Sequence, residues 1–298
     1  MKQIQKIEKL IFKGNTGRDI IADLSIPING GKVPVVIFAH GFKGFKDWGH
    51  FNLMAEEFAR NGLAFLKFNF SHNGGTMDDA IDFPALEAFG ENDFIKELAD
   101  LNTIVEVIHG KGEVLHGIAE WNRVLPMLDA TSLSLIGHSR GGGVSLIFSA
   151  ENTAIKKLVT WNAVSDFGAR MPTQEAINKW NKEGVVYIEN GRTKQSMPMF
   201  YSFYEVYSKN KNRLSISSAC EKIRIPVFVV QAEGDVVVPL AEAKSILKYL
   251  EGDEGSKEGL IIEGSDHVFG AMHPFLGEAL PEACERVISE TISFLLKQ

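Results

Sequence analysis

Two hydrophobic periodicities divide the chain. Over Ile4 to Phe12 and Asp19 to Ile26, apolar and polar side chains alternate around Gly14-Asn15-Thr16-Gly17, which predicts an antiparallel hairpin at a sheet edge. Beyond it come short continuous apolar runs at Pro34 to Ala39, Leu63 to Phe70, Ser132 to Ile136, Lys157 to Trp161, Pro226 to Val230 and Gly259 to Ile262. Runs of this length predict strands buried on both faces. Amphipathic stretches of helical length lie between several of them: Phe51 to Arg60, Asp93 to Ile108, Gly142 to Ala150, Ala241 to Leu250 and Pro281 to Leu296. Alternating strands and helices predict an α/β fold, a mostly parallel twisted sheet with helices on both faces.

The interval from Val164 to Arg224 is too long for a single crossover and reads as an insert. The expected organisation is a core of residues 1–163 and 225–298 with an inserted lid at 164–224, built from a β-hairpin and helices. Val185 to Glu189 and Arg192 to Met197 flank Asn190-Gly191, a pair that tolerates positive φ and predicts a tight hairpin. Phe200, Phe203, Tyr204 and Tyr207 then follow at helical spacing. No internal repeat, low-complexity tract or Pro-rich linker interrupts the chain.

Composition narrows the class. With 298 residues, 45% hydrophobic and 23% charged, the chain can bury a large core, and disorder, collagen and coiled coil are excluded. A formal charge of -7 argues against a nucleic-acid partner. Cys220 and Cys284 lie far apart and suggest neither a disulfide framework nor a zinc site. Met1 to Gly14 never builds the apolar run of a signal peptide, and no apolar stretch approaches the length of a membrane span, so a cytoplasmic protein with no membrane partner is expected.

In an open parallel sheet, ligands gather at the carboxyl ends of the strands. The run ending at Ile136 is followed by Gly137-His138-Ser139-Arg140-Gly141, which leads directly into a helical pattern. A nucleophilic serine needs its Oγ exposed on a strained turn, and small residues two before and two after let that turn pass its neighbours. The serine also needs a base, and the base a group to orient it. The run ending at Val230 leads to Gln231-Ala232-Glu233-Gly234-Asp235, and the run ending at Ile262 leads to Gly264-Ser265-Asp266-His267. Glu233 and Asp266 compete with Asp235 for the acid, as does Asp166, and His273 competes with His267 for the base. His40 and His138 read as packed beside the turn.

Serine, acid and histidine in this order resemble the α/β-hydrolases, and the chain looks most similar to their dienelactone-hydrolase-like and feruloyl-esterase-like branch. The resemblance implies Ser139 as nucleophile, His267 as general base and acid, and Asp235 as the carboxylate that orients His267. It also implies an oxyanion hole made by the backbone N–H groups of Phe42, in His40-Gly41-Phe42-Lys43-Gly44, and of Arg140. The chain departs from the branch at Gln231-Ala232, where His-Gly is common, and at Ser71-His72-Asn73-Gly74-Gly75, where an Arg-Gly turn is common. Its serine stands where true dienelactone hydrolases carry cysteine, and the aspartate nucleophile of haloalkane dehalogenases is absent.

No zinc-helix, phosphate-loop or dinucleotide motif occurs, so neither cofactor nor metal is expected. The expected reaction is hydrolysis of a small-molecule carboxylic ester through an acyl-enzyme, with a small to medium apolar or aryl acyl group. Trp161, Met199, Phe200, Phe203 and Tyr204 are the candidate pocket residues. The insert carries a charge of about +4, so Arg192 and Lys194 are candidates for steering an anionic substrate. Three other readings stand beside the esterase: an acyl-coenzyme A thioesterase, an aminopeptidase holding its substrate amine through Glu175, Glu183 or Glu205, and a non-catalytic ligand receptor on the same fold.

Overall fold

The apolar runs become the centre of one sheet. A computed structural model describes residues 3–28, 31–251 and 256–297 of the chain. The strands are β1 (Ile4–Phe12), β2 (Ile20–Pro27), β3 (Val33–Ala39), β4 (Ala64–Asn69), β5 (Val114–His116), β6 (Leu128–His138), β7 (Ile155–Trp161), β8 (Val185–Glu189), β9 (Ser196–Phe200), β10 (Val227–Ala232) and β11 (Lys257–Ile262). Nine of them form a single sheet in the order β11-β10-β7-β6-β3-β4-β2-β1-β5. From β4 to β11 the neighbours are parallel, and β1, β2 and β5 pair antiparallel.

The helices are α1 (Phe51–Arg60), α2 (Leu86–Glu91), α3 (Phe94–Ile108), α4 (Ile118–Val124), α5 (Arg140–Glu151), α6 (Gln174–Glu183), α7 (Ser202–Lys209), α8 (Ile216–Cys220), α9 (Leu240–Tyr249) and α10 (Glu282–Leu296). Strand alternation sends Val36, Phe38, Ile136 and Trp161 to one face, where α1 and α10 cover them. Val35, Ile37, Leu135 and Leu158 point to the other, beneath α3, α5 and α9. Helix α3 starts where Asp93 caps it, its carboxylate accepting from Ile95 N and Lys96 N at 2.9 Å each. Among the described residues, no helix is long and apolar enough to cross a membrane.

Three local readings need correction. The β1/β2 hairpin is not the edge: β5 pairs outside it, through Ile11 with His116 and Phe12 with Val114. At the opposite side β11 is an edge strand and is not buried on both faces, for Ile261 is 46% exposed. In the segment 164–224, β8 and β9 do pair antiparallel, but Glu189 faces Ser196, so the turn spans six residues rather than two.

Tertiary contacts override the local signal of Asn190-Gly191. The Asn190 side chain is buried, accepting from Arg192 N at 3.1 Å and donating to Met197 Sδ at 3.5 Å. Arg192 in turn reaches Ile81 O and Asp82, and Gln195 Nε2 donates to Asp82 O. Phe200 therefore ends a strand instead of opening a helix.

A four-membered ion network lies under β2 and β4. Lys46 Nζ lies 2.5 Å from Asp23 Oδ2 and 2.6 Å from Asp47 Oδ2, while Lys67 Nζ meets Asp23 at 2.6 Å and also touches Asp47. Burial alone would raise the Asp23 carboxyl, but Lys67 and Lys46 hold it below the usual carboxylate range.

Candidate active site

Strand β6 ends at His138 and α5 begins at Arg140, so the chain turns at Ser139 alone. Ser139 has φ 57° and ψ −122°, a backbone that a residue with a side chain adopts only when its surroundings hold it there. Its N–H donates to Trp161 O at 2.9 Å, and its carbonyl accepts from Gly142 N at 3.0 Å and Val164 N at 3.2 Å. Two glycines make room for the turn. A Cβ on Gly137 would lie 2.4 Å from Ser145 Oγ, and one on Gly141 would lie 2.4 Å from His40 O.

The loops after β10 and β11 meet this turn. His267 Nε2 lies 3.1 Å from Ser139 Oγ, and His267 Nδ1 lies 2.7 Å from Asp235 Oδ2. The other Asp235 oxygen accepts from Val237 N and Val238 N at 2.8 Å each. Burial pushes the Asp235 pKa up, but hydrogen bonds from His267 and these amides outweigh it and hold the carboxyl below the ordinary value. An ionised Asp235 takes the Nδ1–H of His267, which leaves Nε2 as the acceptor facing the Ser139 hydroxyl.

The competing residues are occupied elsewhere. Asp266 Oδ1 accepts from Val268 N at 3.1 Å and Gly270 N at 2.8 Å, and Glu233 accepts from Gly264 N at 3.4 Å. Asp166 is exposed and caps Gly168 N at 2.6 Å. His273 Nδ1 accepts from Gly49 N at 2.9 Å, and burial followed by Arg192 lowers its pKa. His40 donates from Nδ1 to Gly41 O at 2.8 Å while its Nε2 accepts from Phe70 N at 3.3 Å, and burial brings its pKa down to about 4.

Ser139 and His267 open into a cavity of about 600 Å³, which Phe42 and Arg140 also border. Phe94, Phe167, Trp180 and Phe203 line it, with Val186, Ile188 and Met199 from the β8/β9 hairpin. Phe94 and Phe167 stack at 3.9 Å between ring centroids, so a ring from α3 joins one from the segment after β7. Met199 and Phe203 thus face the cavity, whereas Trp161, Phe200 and Tyr204 do not. Trp161 is 2% exposed on the α1 and α10 side of the sheet, its Nε1 donating to Thr291 Oγ1 at 3.1 Å. The Phe200 ring packs over Gly90 of α2, and Tyr204 lies against the rings of Tyr201 and Tyr207.

Charge at the site differs from the expectation as well. Arg192 is paired with Asp82 at 2.5 Å and Lys194 with Glu189 at 3.2 Å, and neither lines the cavity. The cations that border the cavity are Lys43, Arg170 of the 164–224 segment and, next to Ser139 in sequence, Arg140. The Arg140 guanidinium packs against the rings of Phe94 at 4.3 Å and of Phe42 and Phe203 at 5.2 Å each. It meets Glu97 of α3 through Nε to Oε2 at 3.1 Å and Nη2 to Oε1 at 3.0 Å. Burial raises the Glu97 pKa, against the pull of Arg140. Glu97 was not singled out from the sequence, although a carboxylate on the apolar stripe of Phe94, Leu98 and Leu101 is the signal that could have found it.

One turn further along α3, Asp100 accepts from Ser71 N at 2.8 Å and Ser71 Oγ at 2.9 Å, and burial pushes its pKa up to about 7. An unfolded aspartate loses its proton near pH 4, so between about 4 and 7 the native state binds more protons than the unfolded one. Stability contributed by protonated Asp100 is therefore lost as pH rises through that window. Asp100→Asn should flatten the fall in Tm measured by calorimetry between about pH 5 and 7. An unchanged slope would remove Asp100 as its source.

No protein-family model matches the chain, and no curated protein matches it. Solved structures do. The esterase domain of a Rhodothermus marinus protein is 17% identical, with 98% of this chain and 97% of that one covered at a TM-score of 0.61. Est1E from Butyrivibrio proteoclasticus, solved with ferulic acid bound, is 19% identical over 96% of this chain and 98% of its own, with a TM-score of 0.67. Dienelactone hydrolase from Anabaena variabilis is 18% identical over 99% and 98%, with a TM-score of 0.58. The fold shared with these proteins is the α/β-hydrolase fold.

Proposed function

We propose that the chain is a serine hydrolase that cleaves carboxylic esters through an acyl-enzyme. The observation that carries this reading is the unbroken hydrogen-bond chain from Ser139 Oγ through His267 to Asp235, at 3.1 and 2.7 Å. In the first half-reaction His267 Nε2 takes the Ser139 proton as Oγ attacks the ester carbonyl. The backbone N–H groups of Phe42 and Arg140 receive the oxyanion, and His267 returns the proton to the departing alcohol. Water then repeats the sequence on the acyl-enzyme, releasing the acid and restoring Ser139. Asp235 keeps the proton of the resting imidazole on Nδ1 and stabilises the imidazolium formed at each transfer.

The segment 164–224 serves in this reading as a lid over a core of 1–163 and 225–298, because it supplies Phe167, Trp180, Met199 and Phe203 to the cavity wall. Those walls suit an apolar or aryl acyl group. An aminopeptidase draws less support, for none of Glu175, Glu183 and Glu205 lines the cavity. A thioesterase would use the same groups, and release of coenzyme A separates the two.

Treatment with a fluorophosphonate, read by intact mass, should add one adduct to the wild type and none to Ser139→Ala. No adduct on either protein would overturn the hydrolase in favour of a ligand receptor. On a panel of acetate, butyrate, octanoate and hydroxycinnamate esters, Phe203→Ala should lower kcat/KM for the aryl and medium chains by roughly tenfold more than for acetate, the effect of losing about 1–2 kcal/mol of apolar contact. Equal losses on all four would place Phe203 outside the acyl site.

A further inference from the structure

The backbone carbonyl of His267 is gripped by two side chains. His138 Nε2–H donates to it at 2.9 Å, and Asn162 Nδ2–H donates to it at 2.9 Å while also lying 3.4 Å from Asp266 O. A carbonyl oxygen has two lone pairs, and both are taken. Neither donor belongs to the loop that carries His267. His138 immediately precedes Ser139, and Asn162 follows the last residue of β7.

Asn162 is itself fixed from every side. It is fully buried, its Oδ1 accepts from Ala232 N at 2.7 Å, and its own N–H donates to Val230 O at 2.9 Å. Its φ of 47° is a conformation that asparagine tolerates better than most residues. Ala232 ends β10, three residues before Asp235. One amide side chain thus binds the strand that delivers the acid and the loop that delivers the histidine. His138 is suited to its half of the grip, because burial, followed by the neighbouring His267, lowers its pKa to about 3. It is neutral at any working pH, with one ring proton, and that proton is on the nitrogen facing the carbonyl.

We propose that Asn162 and His138 are positioning residues that clamp the His267 backbone and so set the reach of its ring to Ser139 and Asp235. The inference rests on the serine-hydrolase reading. Neither side chain lines the cavity; each acts through His267, whose ring is separated from the clamped carbonyl by the Cα and Cβ atoms alone. A displacement of about 1 Å in a catalytic group costs about 10²-fold in rate.

The test uses the full chain and begins with fluorophosphonate labelling of the wild type. Asn162→Asp keeps the side-chain shape but turns an oxygen toward the carbonyl where an N–H had been, so kcat should fall by about 10²-fold with KM changed by less than about two-fold. The downfield proton resonance of His267 Nδ1–H should shift or broaden in this variant. His138→Ala should lose about tenfold in kcat, and His138→Gln, which restores an N–H donor, should recover most of it. If Asn162→Asp does not fold, the two His138 variants decide the matter.

Unchanged kcat and an unmoved resonance in a labelled, folded variant would overturn the clamp and leave the hydrolase standing. Equal losses in His138→Ala and His138→Gln would overturn it for His138. An unlabelled wild type sinks both proposals at once.

Discussion

Replacing Ser139 by alanine should lower kcat for the best ester of the panel by roughly 10⁶-fold, the scale on which a nucleophile acts when its base is already in place. The loss comes from one atom. In the proposed mechanism, without Oγ the His267 imidazole 3.1 Å away has no proton to take, and Asp235 orients a base with nothing to activate. The variant should not fall to the rate of water, because cavity binding and the Phe42 and Arg140 amides are untouched; a residue of roughly 10³-fold over background is expected. Stability should barely change, for the φ of 57° belongs to the turn and alanine inherits it. Steady-state kinetics on purified protein, with calorimetry as the folding control, would expose the alternative: a loss below about 10²-fold means that another group performs the attack.

Glu97→Ala should destabilise the fold by about 3–5 kcal/mol, the usual consequence of leaving one member of a buried ion pair behind. Arg140 would then keep its charge among Phe42, Phe94 and Phe203 with no carboxylate to meet it. Replacing both partners together, as Glu97→Leu with Arg140→Met, should recover most of the loss, since the cost lies in the unpaired charge and not in the missing attraction. Urea unfolding of the single and double variants measures both terms. A loss under about 1 kcal/mol for Glu97→Ala would mean that water reaches the guanidinium and the pair is effectively at the surface.

Much of this arrangement was legible in the sequence, for identifiable reasons. Runs such as Pro34 to Ala39 and Pro226 to Val230 are apolar on both faces because both faces are covered, and the loops holding Ser139, Asp235 and His267 follow such runs directly. What failed depended on direction or on distance. A run whose last four residues are all buried does not show which face each one takes, so Trp161 looked like a pocket residue and lies on the far side of the sheet. The three residues of β5 are too few to show a period. Asn190-Gly191 lost its local preference to Arg192 and Gln195, whose partners at Ile81 and Asp82 lie more than a hundred residues earlier. Glu97 and Asn162 matter through Arg140 and His267, 43 and 105 positions away, a separation no local pattern reports.

The two ends of the nine-stranded sheet differ in what they offer a second molecule. Unpaired strand edges are where sheets from different molecules fuse. At one end the outermost strand, β5, offers only Val114, Leu115 and His116, too short a ladder for a neighbour to extend. Of the two ends of this sheet, growth is thereby left to the flank of β11, where an incoming strand meets Lys257, Glu258 paired with Lys297, and the unfavourable backbone of Gly259.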